Sequence, residues 1–295
     1  MNTYAPFPLI ELTGGPRERG RHHGKAAADR LRRGIRMYSE SLLKSGVDWP
    51  ELARRAEAMV PAIEKFDPTY VEEMRGIAEG SGEPFAGVIL MNARTEMVVE
   101  ARKRQEKQQV PDGCTAALAL PSASADGVLL HGQNWDWRAE CAETGVVLRI
   151  RRDDGPDILT FTEAGGLARS GLNSAGIGLT ANALECDRDY QRGPGVPLPF
   201  VRRKVLESAH LAQAVHTIVA TPKLGSNHMA VSHCGGEAFG FECAPDETFW
   251  LAPEDGLYVH ANHWIAPSAL NGNDLFSGAG GIEAIVTVLK ICFQP

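Results

Sequence analysis

The stretch Val110-Pro111-Asp112-Gly113-Cys114-Thr115, followed further along the chain by Gln133-Asn134-Trp135-Asp136-Trp137, decides how this sequence of 295 residues is interpreted. Cys114 separates a polar, charged tract from an apolar alternating run that begins at Thr115. If the Gly113–Cys114 bond were broken, Cys114 would begin a new chain and carry both a nucleophilic thiol and a free α-amine, a base with an ordinary pKa of about 8. The alternative is a buried cysteine at the start of a strand, the commoner fate of this residue type.

Together these stretches resemble the acyl-coenzyme A:6-aminopenicillanic acid acyltransferase (isopenicillin N acyltransferase) family of self-processing N-terminal-nucleophile enzymes. The likeness covers residues 8 to 268, and outside the two stretches it rests on short segments at Gly14–Gly20 with His23-Gly24, Gly76–Gly80, Asn92–Glu96, Gly171–Asn173, Ser226–His228 and Ala261–Trp264. Each segment alone is weak, but the ordered set is specific. The resemblance implies an α+β fold, a four-layer αββα sandwich with a helical N-terminal part. It also implies self-cleavage between Gly113 and Cys114, with Cys114 as the nucleophile of an acyl thioester.

Three further residues are predicted to be catalytic. Asp136 matches the acidic position of the family's Asn-Trp-Asp motif, where a carboxylate could hold the new ammonium of Cys114; the alternative is an aspartate that caps a turn. Asn227 resembles the family's oxyanion-hole asparagine in its chain position, and Asn182 resembles that of the related choloylglycine hydrolases. Acyl transfer needs such donors for the developing oxyanion, although asparagine at a strand end is commonly a turn residue.

Two rival functions remain open. A papain-like cysteine hydrolase would keep an intact chain and need a histidine against the sulfur, yet no signature of that class surrounds Cys114. The candidate histidines are therefore predicted to be structural: His23, His131, His228, His260 and His263. The other rival is an inactive family member that acts as a binding protein. Within the favoured interpretation, the enzyme could be either a hydrolase or an acyltransferase. Its substrate would be a small-molecule acyl amide or an acyl-coenzyme A.

Composition narrows the possible partners. A net charge of −7 gives no support for nucleic-acid binding, and no run of 18 apolar residues predicts a membrane span. None of the six cysteines forms a Cys-x-x-Cys pair and the histidines lack metal-ligand spacing, so we expect neither a metal nor a cofactor. No secretory signal is visible at the N-terminus, which favours the cytoplasm, where thiols stay reduced.

Hydrophobic periodicity divides the chain at Cys114. Residues 1–113 are predicted to form a helical region that becomes the small chain, and residues 114–295 the catalytic large chain, the two staying associated after cleavage. The predicted helices begin at Arg17, after Pro50, at Asp67-Pro68, at Phe85 and at Pro199, the last running to Ala220. The predicted strands are Thr115–Leu120, Val128–Gly132, Leu148–Arg151, Ile158–Thr162, Gly176–Asn182, His228–Ser232, Ala238–Glu242, Thr248–Leu251 and Leu257–His260.

The C-terminal end departs from the family pattern. After Ser268 the resemblance stops, and the remaining residues predict a glycine-rich turn and a short apolar helix. The family implies an active-site arginine in this later part, whereas the last arginine of this chain is Arg203. We therefore expect a shortened C-terminal end, with activity reduced or absent even if the core fold forms.

Overall fold

Two β-sheets are stacked face to face, and helices pack against the larger one. The computed structural model describes residues 7–104, 113–191 and 195–266. The helices are α1 (Pro16–Ala26), α2 (Ala28–Leu43), α3 (Trp49–Ala58), α4 (Val60–Phe66), α5 (Pro68–Ser81), α6 (Phe85–Arg104), α7 (Leu198–Leu206) and α8 (Leu211–Ala220). The strands are β1 (Leu9–Leu12), β2 (Thr115–Ala119), β3 (Leu130–Asn134), β4 (Gly145–Ile150), β5 (Ile158–Glu163), β6 (Ser170–Asn173), β7 (Ile177–Ala183), β8 (Asn227–His233), β9 (Glu237–Cys243), β10 (Thr248–Leu251) and β11 (Leu257–His260).

The larger sheet has eight strands in the order β1-β4-β5-β6-β7-β8-β9-β10, and the smaller has three in the order β11-β2-β3. Only the β1–β4 pair is parallel among the strand pairs of the described residues. Leu118 and Tyr258 of the small sheet pack on Ala230 and Ala238 of the large one. The predicted α+β fold with two stacked sheets is therefore confirmed.

Most predicted elements are present, with shifts at their ends. Both predicted hairpins form, since β2 pairs with β3 and β4 with β5. The helix predicted from Arg17 is two helices that part at Ala27, and the one predicted over 199–220 is α7 and α8. At the start of α5 Asp67 is the N-cap, and its side chain accepts from the Thr69 amide at 2.9 Å. The predicted C-terminal turn and helix lie outside the described residues.

Helices α1 and α5 approach so closely that glycine is required at their contact. A side chain at Gly20 or Gly24 would place its Cβ 2.0 Å from the Glu73 carbonyl oxygen or 2.2 Å from that of Ile77. A Cβ at Gly76 or Gly80 would likewise lie 2.2 Å from the Arg17 carbonyl oxygen or 2.1 Å from that of Arg21, both in α1. The glycines of the Gly14–Gly20, His23-Gly24 and Gly76–Gly80 segments thus serve helix packing.

A buried ion-pair network joins these helices to α7. Arg203 is fully buried and donates from both terminal nitrogens to Glu73 at 3.1 Å, and Arg19 approaches the same carboxylate at 3.4 Å. The two guanidinium charges lower the pKa of Glu73 against the opposing effect of its burial. Removing one partner of such a network leaves an uncompensated buried charge, so it fixes the helical layer in one arrangement.

Two buried histidines, His23 and His228, and the half-buried His131 should make the folded protein sensitive to acid. Burial lowers the pKa of His23 and of His131 to about 4, and that of His228 well below its ordinary value. The unfolded chain binds these protons near pH 6.5 and the folded chain does not. The stability is therefore fully present above that pH and is lost as the pH falls toward 4, by up to about 3 kcal/mol for each of His23 and His131.

Urea unfolding at about pH 7 and about pH 5 checks this expectation. His23→Gln keeps an acceptor for the Gly165 amide, which donates to His23 Nε2 at 3.1 Å. This variant should lose less of its free energy of unfolding between the two pH values than the wild type does. Equal unfolding free energies of the wild type at both pH values would contradict the prediction.

Candidate active site

Gly113, Cys114 and Asp136 meet at one end of the small sheet. In the β2–β3 hairpin Thr115 lies opposite Asn134, so the residues just outside the hairpin place Cys114 and Gly113 beside the segment that follows β3. Cys114 is fully buried, and its Sγ donates to the backbone oxygen of Asp136 at 3.8 Å. The Asp136 carboxylate packs on Gly113, where a Cβ would lie 2.9 Å from Oδ2. The predicted nucleophile, the predicted cleavage bond and a carboxylate therefore lie together.

Gly113→Ala should slow self-cleavage by about tenfold or more, because the added Cβ must displace the Asp136 carboxylate. The rate is measured by the loss of the full-length band after expression in a cell-free reaction. Gly132→Ala is the matched control, since a Cβ at Gly132 in the same hairpin meets nothing within 4 Å. Equal cleavage rates in both variants would show that the Gly113–Asp136 contact is not needed.

The tryptophans on either side of Asp136 fix the segment in place. The Trp135 ring lies 4.2 Å from the Arg169 guanidinium and 5.9 Å from that of Arg94. The Trp137 ring lies 5.1 Å from Arg94, and its Nε1 donates to the Tyr38 hydroxyl at 2.9 Å. Cation–π contacts of this kind hold a ring against a planar guanidinium. Both rings thus pack on the helical layer and orient Asp136 between them.

Helix α6 carries the Asn92–Glu96 segment and is kinked in it. Ala93 has a non-helical φ of −134° and ψ of 18°. Asn92 donates to the Gly165 carbonyl oxygen at 2.7 Å and accepts from the Leu167 amide at 2.9 Å, which fixes the turn after β5. Arg94 pairs with Glu163 at the end of β5. The Asn92–Glu96 segment therefore joins α6 to the large sheet, and its Arg94 contacts Trp135 and Trp137.

Asn182 lies between the two sheets, but its amide is already used. Its Nδ2 donates to the carbonyl oxygens of His260 and Ala261 at 2.9 and 3.1 Å, and its Oδ1 accepts from Gln133 at 2.7 Å. An asparagine amide has two N–H bonds, so no donor is left for a substrate in this arrangement. Asn182 therefore lies between the sheets, but it has no free N–H to donate to an oxyanion.

Asn227, unlike Asn182, has an unpaired amide but faces away from the small sheet. It begins β8 opposite Ala183, is fully buried, and neither its Nδ2 nor its Oδ1 has a hydrogen-bond partner among the described residues. Side chains alternate along a strand, so Ala183 and Asn227 face away from the small sheet that Asn182 faces. No contact among the described residues joins Asn227 to Cys114.

Asn262 is a further site residue, which the sequence analysis missed. His260 pairs with Ala116, and Asn262 and Cys114 each lie two residues beyond that pair at the same end of the small sheet. Asn262 Nδ2 donates to the Ala183 carbonyl oxygen at 2.9 Å, and its buried Oδ1 has no partner among the described residues. Asn262 could have been found from the sequence, because it lies in Ala261–Trp264, one of the segments that resemble the family.

Two charged residues near the site, Glu96 and Arg202, were also not predicted from the sequence. Glu96 of α6 accepts at 2.7 Å from the amide of Leu198, which is the first residue of α7. The other carboxylate oxygen of Glu96, Oε2, has no partner among the described residues. Arg202 lies one turn further along α7 and is 5% exposed. Burial lowers its pKa to about 9, and the charges of Arg169, Glu96, Arg94 and Cys114 act on it. Helix α7 therefore brings a cation into the surroundings of Cys114.

His228, His260 and His263 form a stack of parallel rings. The rings of His228 and His260 lie 3.7 Å apart, and His228 Nε2 bonds to the Tyr258 hydroxyl at 2.7 Å. His260 donates from Nδ1 to the Ala261 carbonyl oxygen, while its Nε2 faces Glu242 at 2.7 Å. Among the hydrogen bonds of the described residues, none joins Cys114 to a histidine.

Within residues 7–104, 113–191 and 195–266, no helix has both the length and the apolar character needed to cross a membrane. In the same part of the chain, no group of three or more His, Cys, Asp or Glu side chains is arranged to bind a metal ion.

Cys114 stands just before a strand of a small sheet that is stacked on a larger one, with helices packed on the larger sheet, and this α+β arrangement is the fold class that the resemblance implied. Residues 123–278 match the family model of acyl-coenzyme A:6-aminopenicillanic acid acyl-transferase. The 40 kDa form of acyl-coenzyme A:6-aminopenicillanic-acid-acyltransferase of Emericella nidulans is 31% identical over 290 residues, which cover 94% of this chain and 77% of that protein. The chain belongs to this acyltransferase family. Because the match continues to residue 278, the prediction that the resemblance stops after Ser268 was wrong.

Solved structures with a similar shape are distant. A mutant of the conjugated bile acid hydrolase of Clostridium perfringens is 11% identical, with a TM-score of 0.39 over 57% of this chain and 64% of that one. Penicillin V acylase of Agrobacterium tumefaciens is 10% identical, with a TM-score of 0.29 over 62% of this chain and 50% of that one. The chain thus spans less than two thirds of either.

Proposed function

We propose that this protein is a self-processing enzyme that cleaves its own Gly113–Cys114 bond and then cleaves or transfers acyl groups through the Cys114 sulfur. The observation that carries the proposal is the meeting of Cys114 with Asp136 at Gly113, with Sγ 3.8 Å from the Asp136 backbone oxygen and the carboxylate packed on the glycine. Family membership supports acyl chemistry on this fold. The residue-level mechanism rests on the site geometry.

Self-cleavage would begin with attack of the Cys114 sulfur on the Gly113 carbonyl carbon. The C–N bond breaks, the nitrogen of Cys114 takes the thiol proton, and the carbonyl is left as a thioester. Water then adds to the thioester, giving the Gly113 carboxylate and restoring the thiol. Gly113 assists because it puts no side chain in the attack path, and the Asp136 carboxylate beside it would hold the new ammonium.

In turnover the α-amine of Cys114 would accept the thiol proton as the sulfur attacks the acyl carbonyl of a substrate. Collapse of the tetrahedral intermediate releases an amine or a thiol, which takes that proton, and leaves the acyl group on sulfur. An amine or water then accepts the acyl group. Acyl transfer and amide hydrolysis differ only in this last acceptor.

The oxyanion needs a donor close to Cys114 that is not already used. Asn262 lies at the same end of the small sheet as Cys114 and donates one hydrogen bond, to Ala183, so its second N–H is the donor we assign. Asn227 has an unpaired amide but faces away from the small sheet, so we do not assign it to the oxyanion. Asn182 would support the site by holding the backbone at His260, through its two amide donors.

The substrate is proposed to be a small acyl amide or an acyl-coenzyme A thioester, by analogy with the acyl-coenzyme A named for the Emericella nidulans relative. After cleavage, residues 1–113 and 114–295 would stay together, because β1 is a strand of the large sheet and Glu73 pairs with Arg203. A reducing compartment such as the cytoplasm would keep Cys114 as a thiol.

Intact mass and N-terminal sequencing of the purified protein test the proposal. Two chains, one beginning at Met1 and the other at Cys114, are expected, together with an acyl thioester at Cys114 after rapid quenching with an acyl amide or acyl-coenzyme A. A single intact chain that turns over substrate would instead support a papain-like hydrolase. A chain with neither cleavage nor thioester would support a binding protein that keeps the fold.

A further inference from the structure

The Arg202 guanidinium is buried beside the active site without a described partner. The residue is 5% exposed, and its Nε is buried with no hydrogen bond. No hydrogen bond or ion pair among the described residues uses this guanidinium, in contrast to the adjacent Arg203, which pairs with both Glu73 and Glu207. A buried charge without a partner is costly, so one kept at this place calls for a ligand.

Helix α7 is held so that Arg202 comes to the nucleophile. Glu96 accepts from the amide of Leu198 at 2.7 Å, and a carboxylate at a helix N-terminus is stabilised by the peptide dipoles there. Leu198 and Arg202 are one turn apart and thus lie on one face of the helix. Glu96 attracts the Arg202 charge, yet no ion pair among the described residues joins the two, and Glu96 Oε2 has no partner there.

The surroundings of Arg202 connect it to Cys114. Burial and the positive charges of Arg169 and Arg94 lower the pKa of Arg202 to about 9, against the opposing charges of Glu96 and Cys114. Arg169 packs on the ring of Trp135, whose neighbour Asp136 accepts from the Cys114 Sγ. At neutral pH Arg202 remains a cation, within electrostatic reach of the sulfur.

We propose that the Arg202 guanidinium is an anion subsite beside the Cys114 thiol, which binds a carboxylate carried by the acyl substrate. This inference rests on the proposed function, because it takes Cys114 as the nucleophile. Arginine suits the role: its planar group, charged at neutral pH, offers paired N–H donors to the two oxygens of a carboxylate. The unpaired Nε and the lack of a direct contact with Glu96 leave those donors to the ligand. An acyl chain that ends in a carboxylate would thus be preferred over a neutral one of equal length.

The experiment compares two alkylating reagents of nearly equal size, iodoacetate and iodoacetamide, on the processed protein. In both reactions the Cys114 sulfur displaces iodide from carbon and the thiol proton goes to solvent, so only the charge of the reagent differs. The rates at Cys114 are read by peptide mass, which separates it from the other cysteines. Their ratio cancels any general change in thiol reactivity.

Arg202→Met should lower the iodoacetate-to-iodoacetamide rate ratio by about tenfold or more, the effect of losing one charge-assisted contact. Arg202→Lys should keep most of it, and Arg36→Met, at an exposed arginine of α2, should leave it unchanged. A ratio that is the same in Arg202→Met and in the wild type overturns the subsite. A wild-type protein whose Cys114 reacts with neither reagent overturns instead the nucleophile on which the subsite rests.

A measurement on the wild type keeps the test decisive if Arg202→Met does not fold. Glutarate should slow the labelling of Cys114 by iodoacetamide in a saturable way, whereas glutaramide and sodium chloride at matched ionic strength should not. Equal slowing by glutarate and sodium chloride would mean that only general screening acts, and would overturn the subsite.

Discussion

Cys114→Ala should remain a single chain of 295 residues and should show no turnover. In the proposed mechanism the sulfur is needed twice, first to attack the Gly113 carbonyl and then to carry the acyl group, so its removal would block both steps. Losing a covalent nucleophile costs on the order of 10⁶-fold in rate. Intact mass reports the cleavage, and release of the leaving amine or thiol reports the turnover. Cys114→Ser should cleave slowly at best, since an alcohol is far less acidic than a thiol.

Cys234→Ala is the control for this variant, because Cys234 is the exposed free cysteine of the described residues. It should be cleaved and active like the wild type. Alanine fills less space than cysteine in the buried site, so a thermal melt of Cys114→Ala should accompany the assay. A cleaved or active Cys114→Ala protein would remove the N-terminal-nucleophile mechanism altogether.

Asp136→Asn should slow self-cleavage, turnover or both by about a hundredfold while the protein stays folded. The change keeps the shape of the side chain that packs on Gly113 and removes its charge, so the new ammonium of Cys114 would lose its counter-charge. Trp135 and Trp137 should hold the segment in place, because their contacts with Arg94 do not involve the carboxylate. Single-turnover thioester formation separates the effect on chemistry from the effect on processing.

Asp126→Asn is the matched control, because this aspartate lies exposed in the loop of the same β2–β3 hairpin. It should process and turn over normally. If Asp136→Asn behaves like Asp126→Asn in both assays, Asp136 only shapes the turn after β3, which is the alternative that the sequence left open.

Elements with strong local patterns could be predicted from the sequence, whereas those made by distant pairing could not. The β2–β3 hairpin was predicted because alternating apolar residues flank a loop rich in turn formers. Strand β1 was missed because four residues carry little pattern, and its partner β4 lies far along the chain. Strand β6, with the sequence Ser-Gly-Leu-Asn, has almost no strand-forming residues and exists because β5 and β7 pair with it on both sides.

The same limit applies to the site. The Gly113–Asp136 contact could be expected from the order of the two motifs, because a hairpin brings its ends together. The role of Arg202 could not be expected from the sequence, because the next two residues, Arg203 and Lys204, are also positively charged. Only the structure distinguishes Arg202, since it is buried without a described partner whereas Arg203 and Lys204 form ion pairs. For Asn182 and Asn227, chain position suggested one role for both, but strand alternation sends them to opposite faces of the large sheet.

Strand β1 gives self-cleavage a consequence for refolding. Residues 9–12 complete a sheet whose other strands lie between residues 145 and 251, and before cleavage both parts belong to one molecule, so folding is a first-order process. After cleavage the same sheet would have to be rebuilt from two separate molecules, a second-order process whose yield falls on dilution. Maturation would thus make the native state one that is reached once, as the precursor, and is afterwards preserved by slow unfolding rather than regained. Cys114→Ala, which stays in one piece, should refold from urea with a yield independent of protein concentration.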